Sequence, residues 1–453
     1  MERRKQWQRL AALLVIAMLA AACGGDDGGE DGSAGAPAET GGTSTEETGP
    51  AAPDGTEGTG GTPAGTEPAG GGADAEEELL LGYILPETGA LAYLGPPMIQ
   101  AVAFAVDRIN EAGGVLGMEV PPPVAGDEAE DAAIANQSAD RLLAEDVDAV
   151  IGAAGSAMSL AIIDKVTGAG VVQCSGSNTA PTFTDYSDDG FYFRTAPTDA
   201  LQGPVLAETL IADGAQNIVL MGRADDYGRG LVEVTGAALT EAGATVESII
   251  HDPNAPNFDA EVQQAVAANP DAVVVIAFEE GSQILQGLIE AGLTADQLYG
   301  TDGVRSSELA SLVDPNNPNV LDGMKGTAPA PEVDEQFIAE FTEASGLTDT
   351  IFAPQKYDCV TIVALAAEAA GSTAPSAIAE EINGVTGEGT PCSSFAECRD
   401  LLAAGEDIDY EGASGPLDFT DDGEPGVATY EVWTFEGGEL ITMDNVESTM
   451  SGS

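Results

Sequence analysis

The sequence is poor in positive charge. Fourteen Lys and Arg stand against 77 Asp and Glu, which gives a formal net charge of −63 at pH 7. Such an anionic chain repels the phosphates of nucleic acids and the headgroups of anionic lipids. We therefore expect no nucleic-acid partner and no membrane binding through a basic patch.

Motifs of catalysis are also missing. The chain has one histidine, His251, and no Walker, Gly-x-Ser-x-Gly or His-x-x-x-His pattern. His251 precedes Asp252-Pro253 at the end of a predicted strand, which favours a surface loop. No spacing of carboxylates indicates a glycosidase pair. The sequence thus predicts a protein that is not an enzyme and that holds no cofactor and no metal.

The N-terminus has the order of an export signal. Basic residues open the chain, the apolar run Leu10–Ala22 follows, and small residues precede Cys23. The end of this run resembles a bacterial lipoprotein signal, in which residues 1–22 are removed and Cys23 is lipidated. Simple cleavage after Ala22 is the alternative, because Ala20 stands where such signals have a branched residue. Lipidation would place the protein on the extracellular face of the cell membrane.

Residues 24–78 have the composition of a linker. They are rich in Gly, Thr, Glu, Pro and Ala, contain no Lys or Arg, and show no apolar periodicity. Such a segment is predicted to be a disordered acidic tether with an end-to-end distance of ~40 Å. Segment 23–78 is therefore interpreted as lipid anchor and tether.

The remaining four cysteines suit an oxidising compartment. Cys392 and Cys398 enclose a short loop, which predicts a local disulfide. By elimination Cys174 and Cys359 form the second pair, or they are two buried thiols.

From Leu79 onward, short apolar runs alternate with amphipathic stretches, which is typical of βα units. Helices are predicted at Met98–Ala112 and Asp131–Ala144, and a hairpin at Tyr430–Thr442. Strands are predicted at Leu79–Leu85, Glu119–Val124, Asp148–Ile151, Val171–Gln173, Asn217–Met221, Thr245–Ile250, Ala272–Ala277, Leu298–Gly300 and Gly323–Thr327. One ordinary sheet does not hold so many strands. We therefore expect an α/β fold of two doubly wound, parallel-sheet lobes.

A set of ordered fragments carries a family resemblance over residues 79 to 442. The fragments are Gly82-Tyr-Ile-Leu-Pro-Glu-Thr-Gly89, Ala105-Val-Asp-Arg-Ile-Asn-Glu-Ala-Gly-Gly114, Val150-Ile-Gly-Ala-Ala-Gly-Ser156, Ser177-Asn-Thr-Ala-Pro181, Asp226-Tyr-Gly-Arg-Gly230, Tyr299-Gly-Thr-Asp-Gly303 and Ser414-Gly-Pro-Leu-Asp-Phe419. In this order they resemble the type I periplasmic binding proteins, specifically the leucine/isoleucine/valine-binding branch. The resemblance implies a substrate-binding protein that delivers an amino acid to the permease subunits of an ABC importer.

The family fold implies two lobes that are joined by three chain crossings, near 194–197, 327–329 and 412–416. The N-terminal lobe would comprise residues 79–195 and 328–413, and the C-terminal lobe residues 196–327 and 414–453. Closure of the lobes on a ligand would be a rigid-body hinge motion.

The resemblance also places the polar ligand contacts. Ser156 follows a strand and begins a helix, so its hydroxyl and nearby amides suit a carboxylate; a plain helix cap is the other interpretation. Ser177 and Thr179 would contact the ligand head group. Asp302 would pair with its ammonium unless it is an ordinary N-cap in a turn before a helix at Ser306, and Tyr227 would seal the cleft unless it is a core residue.

The side-chain pocket departs from the family pattern. Leu94, beside Tyr93, stands where the family often has a tyrosine; Phe278 and Phe352 complete the predicted apolar wall. Glu279, Glu280 and Arg305 are expected to form a solvated rim. An apolar pocket favours an aliphatic or aromatic amino acid, and urea or a short amide is the alternative ligand.

A second class of function is ligand sensing, because the same fold serves in signalling receptors. Such receptors carry a transmembrane helix after the lobes, and no apolar span follows them here. We therefore expect transport rather than sensing.

The acidity has two interpretations, a solubilising surface or adaptation to a saline habitat. At about 1 M salt the Debye length of ~3 Å screens the self-repulsion of the chain. Under the second interpretation the thermal unfolding midpoint rises between dilute buffer and molar salt, as calorimetry would show. A midpoint that is the same in both conditions contradicts salt adaptation.

Overall fold

The computed structural model describes residues 78–330, 335–387 and 389–450. The signal peptide predicted at 1–22, the lipidation site Cys23 and the tether up to residue 77 lie outside the described residues.

The first lobe is built on a parallel sheet. Its strands have the spatial order β2-β1-β3-β4-β5. They are β1 (Leu81–Leu85), β2 (Val124–Asp127), β3 (Ala149–Gly152), β4 (Val172–Ser175) and β5 (Tyr192–Arg194), with α1 (Gly95–Ala112), α2 (Ala132–Ala144) and α3 (Ser156–Gly168) between them.

Local signals in the sequence set the ends of these helices. Helix α1 has prolines in its first turn, where no N–H is needed, and ends at Gly113 with φ 114°. Helix α2 is capped by Asp131, whose carboxylate accepts from Ala133 N at 2.8 Å and Ile134 N at 3.2 Å. Both predicted helices are confirmed, with α1 starting three residues early.

The second lobe has a larger sheet of order β15-β14-β10-β9-β8-β6-β7. Strands β6 to β10 are parallel, and the hairpin β14-β15 pairs antiparallel with β10. The elements are α4 (Asp199–Ala212), β6 (Asn217–Arg223), α5 (Asp226–Glu241), β7 (Thr245–His251), α6 (Asp259–Ala267), β8 (Ala272–Ile276), α7 (Gly281–Glu290), β9 (Leu298–Gly300), α8 (Leu309–Val313) and β10 (Lys325–Pro329).

The chain then returns to the first lobe. It adds α9 (Glu335–Ser345), α10 (Ala353–Ala370), α11 (Pro375–Val385) and α12 (Phe395–Ala403), and a small sheet of β11 (Thr390–Cys392), β12 (Ile408–Gly412) and β13 (Gly415–Pro416). The hairpin β14 (Val427–Glu436) and β15 (Glu439–Thr449) closes the second lobe. The chain thus crosses between the lobes three times, and the predicted fold class is confirmed. The lobe boundaries at these crossings stay a prediction.

Several strands differ from the sequence expectation, and β11, β12 and β13 of the small sheet were not predicted. Strand β2 starts at Val124, whereas Glu119–Val124 was expected, because Pro121-Pro122-Pro123 have no N–H to donate to a neighbouring strand. Strand β5 was not predicted, since it has three residues and no usable alternation. The C-terminal hairpin is confirmed as an edge of the second sheet.

A buried ion pair supports the hinge region. Arg194, at the end of β5, donates through Nε to Oε2 of Glu424 at 2.6 Å, and both side chains are 1% exposed. Arg194 also donates to the carbonyl of Ala180 at 2.8 Å. Glu424 lies in the segment between β13 and β14, so the pair joins the end of β5 to the chain that leads into the C-terminal hairpin.

The core of the first lobe centres on α10. All residues from Ala353 to Ala367 are buried, and the helix packs on α1 and α11. No single described helix has the length and apolarity of a membrane span; α10 and α11 satisfy those criteria only together, with a bend of 106° between them.

Both predicted disulfides are formed. Cys174 of β4 is bonded to Cys359 of α10, which ties the sheet to the central helix, and Cys392 is bonded to Cys398. The alternative of two buried thiols at the first pair is therefore wrong.

We expect the two disulfides to stabilise the fold unequally, since a cross-link restricts the unfolded chain more when it closes a longer loop. The sequence separations are 185 and 6 residues. Replacing Cys174 and Cys359 by alanine should cost about 5 kcal/mol in the free energy of unfolding, and replacing Cys392 and Cys398 about 2 kcal/mol. Denaturant titration measures both; equal losses would contradict the loop-length argument.

Candidate functional site

A cavity lies where the carboxyl ends of the two parallel sheets face each other. The empty space there is about 300 Å³, including the solvent at its mouth. All eight residues predicted to contact a ligand line it: Leu94, Ser156, Ser177, Thr179, Tyr227, Phe278, Asp302 and Phe352. Most follow the carboxyl end of a strand, as ligand-binding residues do in open α/β sheets. Their roles toward a ligand stay predictions.

The first-lobe wall offers hydrogen-bond donors. Ser156 is the first residue of α3, where backbone N–H groups carry partial positive charge. The cap itself is Gly155, so Ser156 is not a plain N-cap, and its hydroxyl accepts from Ala180 N at 3.4 Å. The hydroxyl of Ser177 donates to Ala154 O at 3.1 Å, while Thr179 is 1% exposed.

Two amides in front of α3 are already occupied. Ala154 N and Gly155 N donate to the carboxylate of Glu128 at 2.6 and 3.2 Å. Glu128 is fully buried, and burial together with nearby Glu130 raises its pKa to about 8. A ligand carboxylate would therefore depend on Ser156 and Thr179 rather than on these amides.

The second-lobe wall presents a buried carboxylate. Asp302 is 4% exposed and accepts from Nε2 of Gln202 at 3.0 Å and from the hydroxyl of Tyr227 at 2.9 Å. Burial raises the pKa of Asp302 to about 6, against the lowering effect of these two donors. Asp302 lies in a 3₁₀ turn, where Thr301 is the N-cap. The alternative of an N-cap for Asp302 is therefore wrong.

A second carboxylate beside this one was not predicted. Asp199, the first residue of α4, is fully buried, and neither of its carboxylate oxygens makes a hydrogen bond of normal geometry to the described residues. Burial and the nearby Asp302 raise its pKa well above the usual range, although Thr179 lowers it. Its backbone N–H donates to Thr179 O at 2.7 Å, which places α4 directly against the donor wall.

The remaining wall is apolar. Leu91 and Met98 join Leu94, Phe278 and Phe352, as predicted for the side-chain pocket. The rings of Phe278 and Tyr227 stack with centroids 5.3 Å apart. Phe352 has φ 58°, a left-handed conformation that a bulky residue adopts only where its surroundings hold it.

The expected solvated rim is wrong in part. Glu279 is exposed, but Glu280 is 6% exposed and lies 3.3 Å from Arg223. Arg305 is 19% exposed and forms ion pairs with Glu431 and Asp349. The side chains of Glu280 and Arg305 are withdrawn from solvent because each forms an ion pair with a residue that is distant in sequence.

The expectation for His251 is also wrong. It is the last residue of β7, is fully buried, and lies 3.5 Å from Glu280 and edge-on to Phe258. It therefore belongs to the packed second lobe and not to a surface loop.

The site separates two kinds of polar group. Hydroxyls and helix N–H groups lie on the first-lobe wall, the buried carboxylate of Asp302 lies on the second-lobe wall, and an apolar wall completes the cavity. A zwitterion with an apolar side chain matches this arrangement, because each of its charges would meet groups of the opposite sign.

The chain is similar to known proteins over most of its length. Residues 78–438 match the family described as Periplasmic binding protein. A chemotactic signal transduction system substrate-binding protein of Halobacterium salinarum is 26% identical over 78% of this chain and 86% of its own length. A Leu/Ile/Val-binding protein homologue of Brucella suis is 25% identical over 81% of this chain and 93% of its own.

Two solved structures share the fold. A leucine binding protein from Thermotoga maritima superposes with TM-score 0.70 and 24% identity, covering 81% of this chain and 98% of its own. The branched-chain amino acid transporter substrate binding protein of Streptococcus pneumoniae, in complex with isoleucine, superposes with TM-score 0.67 and 22% identity. The match covers 83% of this chain and 100% of that protein's chain. The family match spans most of the chain, and the chain belongs to the periplasmic binding proteins, a family of exported solute-binding proteins with the type I fold.

Proposed function

We propose that this protein binds an amino acid with an aliphatic or aromatic side chain between its lobes and delivers it to the permease of an ABC importer. Cys23 would anchor the protein by lipid to the extracellular face of the membrane. The observation that carries the proposal is the buried carboxylate of Asp302 in a cavity whose first-lobe wall carries hydroxyl groups.

The chemistry of the carboxylates favours an ammonium ligand. Asp302 accepts no hydrogen bond from a Lys or Arg side chain among the described residues. An α-ammonium would supply the missing positive charge, while Ser156 and Thr179 would bind the α-carboxylate. Urea carries no charge and leaves the carboxylate of Asp302 uncompensated, so we rank it below an amino acid.

The first prediction concerns the ammonium partner. The full chain should bind leucine, isoleucine, valine or phenylalanine in calorimetric titration, and Asp302→Asn should weaken binding by about 100-fold, since a buried charge pair is lost. The exposed Asp296→Asn in the same lobe is the control and should bind like wild type. Silence for every amino acid, with a signal for urea alone, would reject the amino-acid assignment.

The second prediction concerns pH. As pH falls through about 6, protonation of Asp302 removes its attraction for an ammonium, so affinity should drop by up to about tenfold per pH unit below that value. Titrations between pH 8 and 5 measure this slope. An affinity that is flat over this range would show that Asp302 does not contact the ligand's charge.

The third prediction concerns the stability of the ligand-free fold, which ionisation of Asp302 lowers, whereas the same ionisation favours binding of an ammonium. The folded pKa of Asp302 lies above its ordinary value of 3.8, so ionisation destabilises the fold above about pH 6, and the penalty disappears below about pH 4. Asp302→Asn should therefore raise the free energy of unfolding at pH 7 by up to about 3 kcal/mol and by nearly nothing at pH 3.5. A loss of stability at pH 7 would contradict this account.

A further inference from the structure

Ion pairs join the two lobes on the described surfaces that face each other. Arg223, at the end of β6 in the second lobe, contacts Oε2 of Glu130 in the first lobe at 3.0 Å. Arg305, also in the second lobe, lies 3.5 Å from Asp349 in the loop before α10. Each pair thus has its arginine in one lobe and its acid in the other.

Each arginine is also held by acids of its own lobe. Arg223 donates to Asp225 and lies 3.3 Å from Glu280, and its guanidinium stands 3.6 Å above the ring of Phe278. Arg305 donates to Glu431 of β14. Because these contacts lie within one lobe, they fix both arginines whether or not the lobes meet.

The strongly negative charge of the chain makes these two arginines important for closure of the lobes. With a net charge of −63, closure brings two acidic lobes together, and like charges oppose it. The chain has 14 basic residues in all; among the described ones, Arg194 pairs with Glu424 at the hinge, and Arg223 and Arg305 meet acids of the opposite lobe beside the cavity. These contacts lower the electrostatic cost of closure where the lobes touch.

The cavity wall connects this arrangement with the ligand site. Phe278 lies between Arg223 and the ring of Tyr227, so the arginine covers the outer face of an aromatic that lines the cavity. Across the cavity, the hydroxyl of Tyr93 in the first lobe donates to Gly303 O in the second. Ion pair, aromatic wall and cavity therefore come together only when the lobes are closed.

We propose that Arg223–Glu130 and Arg305–Asp349 form a two-point latch that holds the lobes closed and sets how long the ligand stays bound. The acids are the switching partners, because the arginines keep their own-lobe contacts when the lobes open. The latch alone maintains a measurable closed population without ligand. The effect on ligand residence rests on the proposed function, and the effect on closure does not.

The test compares Glu130→Gln, Asp349→Asn and the double variant in the full chain. The control is Glu145→Gln, an exposed acid at the end of α2 in the first lobe. Keto-bearing amino acids at the exposed positions Gln137 of α2 and Gln263 of α6 carry spin labels, which leaves the disulfides intact. Pulsed electron spin resonance then gives the interlobe distance distribution, and stopped flow gives the release rate of L-leucine.

We expect each single variant to lose closed population and to release L-leucine about tenfold faster, with the association rate changed less than about twofold. The thermal unfolding midpoint of each ligand-free variant should equal that of the Glu145→Gln control. This equality distinguishes a latch from a general structural role of the two acids. Distances and release rates of the double variant equal to wild type overturn the proposal. So does a wild-type chain with no closed population before ligand is added.

The two proposals fail in different ways. If no amino acid binds the wild-type chain, the assigned ligand is wrong, while the distance distributions of the ligand-free variants still decide on the latch. If L-leucine binds and release is unaltered by the variants, the latch is wrong and the binding function stands.

Discussion

The carboxylate of Asp302 is buried at the cavity with no basic side chain of the described protein hydrogen-bonded to it, and this constrains the residues around it. Asp302 is tolerated because Gln202 and Tyr227 donate to it, and those donors come from α4 and α5 of the second lobe. Burial of an ionised carboxylate is costly, which is why the pKa of Asp302 is raised to about 6 in spite of these two donors.

This cost explains why the surrounding residues are arranged as they are. The α4 start, the β9 end and the loop after β4 must all reach one point, and the two sheets do this by directing their carboxyl ends at each other. The hinge pair Arg194–Glu424 fixes the end of β5 from which α4 departs. Rigid elements thus hold the polar groups, which is how a site keeps its geometry before the ligand arrives.

Sequence patterns located most of this arrangement for a physical reason. Residues such as Ser156, Thr179 and Asp302 follow apolar strands that can be recognised by their runs, and parallel strands align their carboxyl ends. The sequence gives no local signal for Asp199, because strand β5 before it has three residues and no clear pattern. The burial of Glu280 and His251, and the partners of Glu130 and Asp349, depend on contacts across long stretches of chain that no local pattern encodes.

The disulfides are distributed unevenly. Both described bonds, Cys174–Cys359 and Cys392–Cys398, lie in the first lobe, and the described part of the second lobe has none. The cross-links therefore stabilise the wall of the cleft that carries Ser156 and Thr179, and the described part of the opposite wall holds its fold without them. A reducing environment would weaken one wall of the cleft and leave the other unchanged.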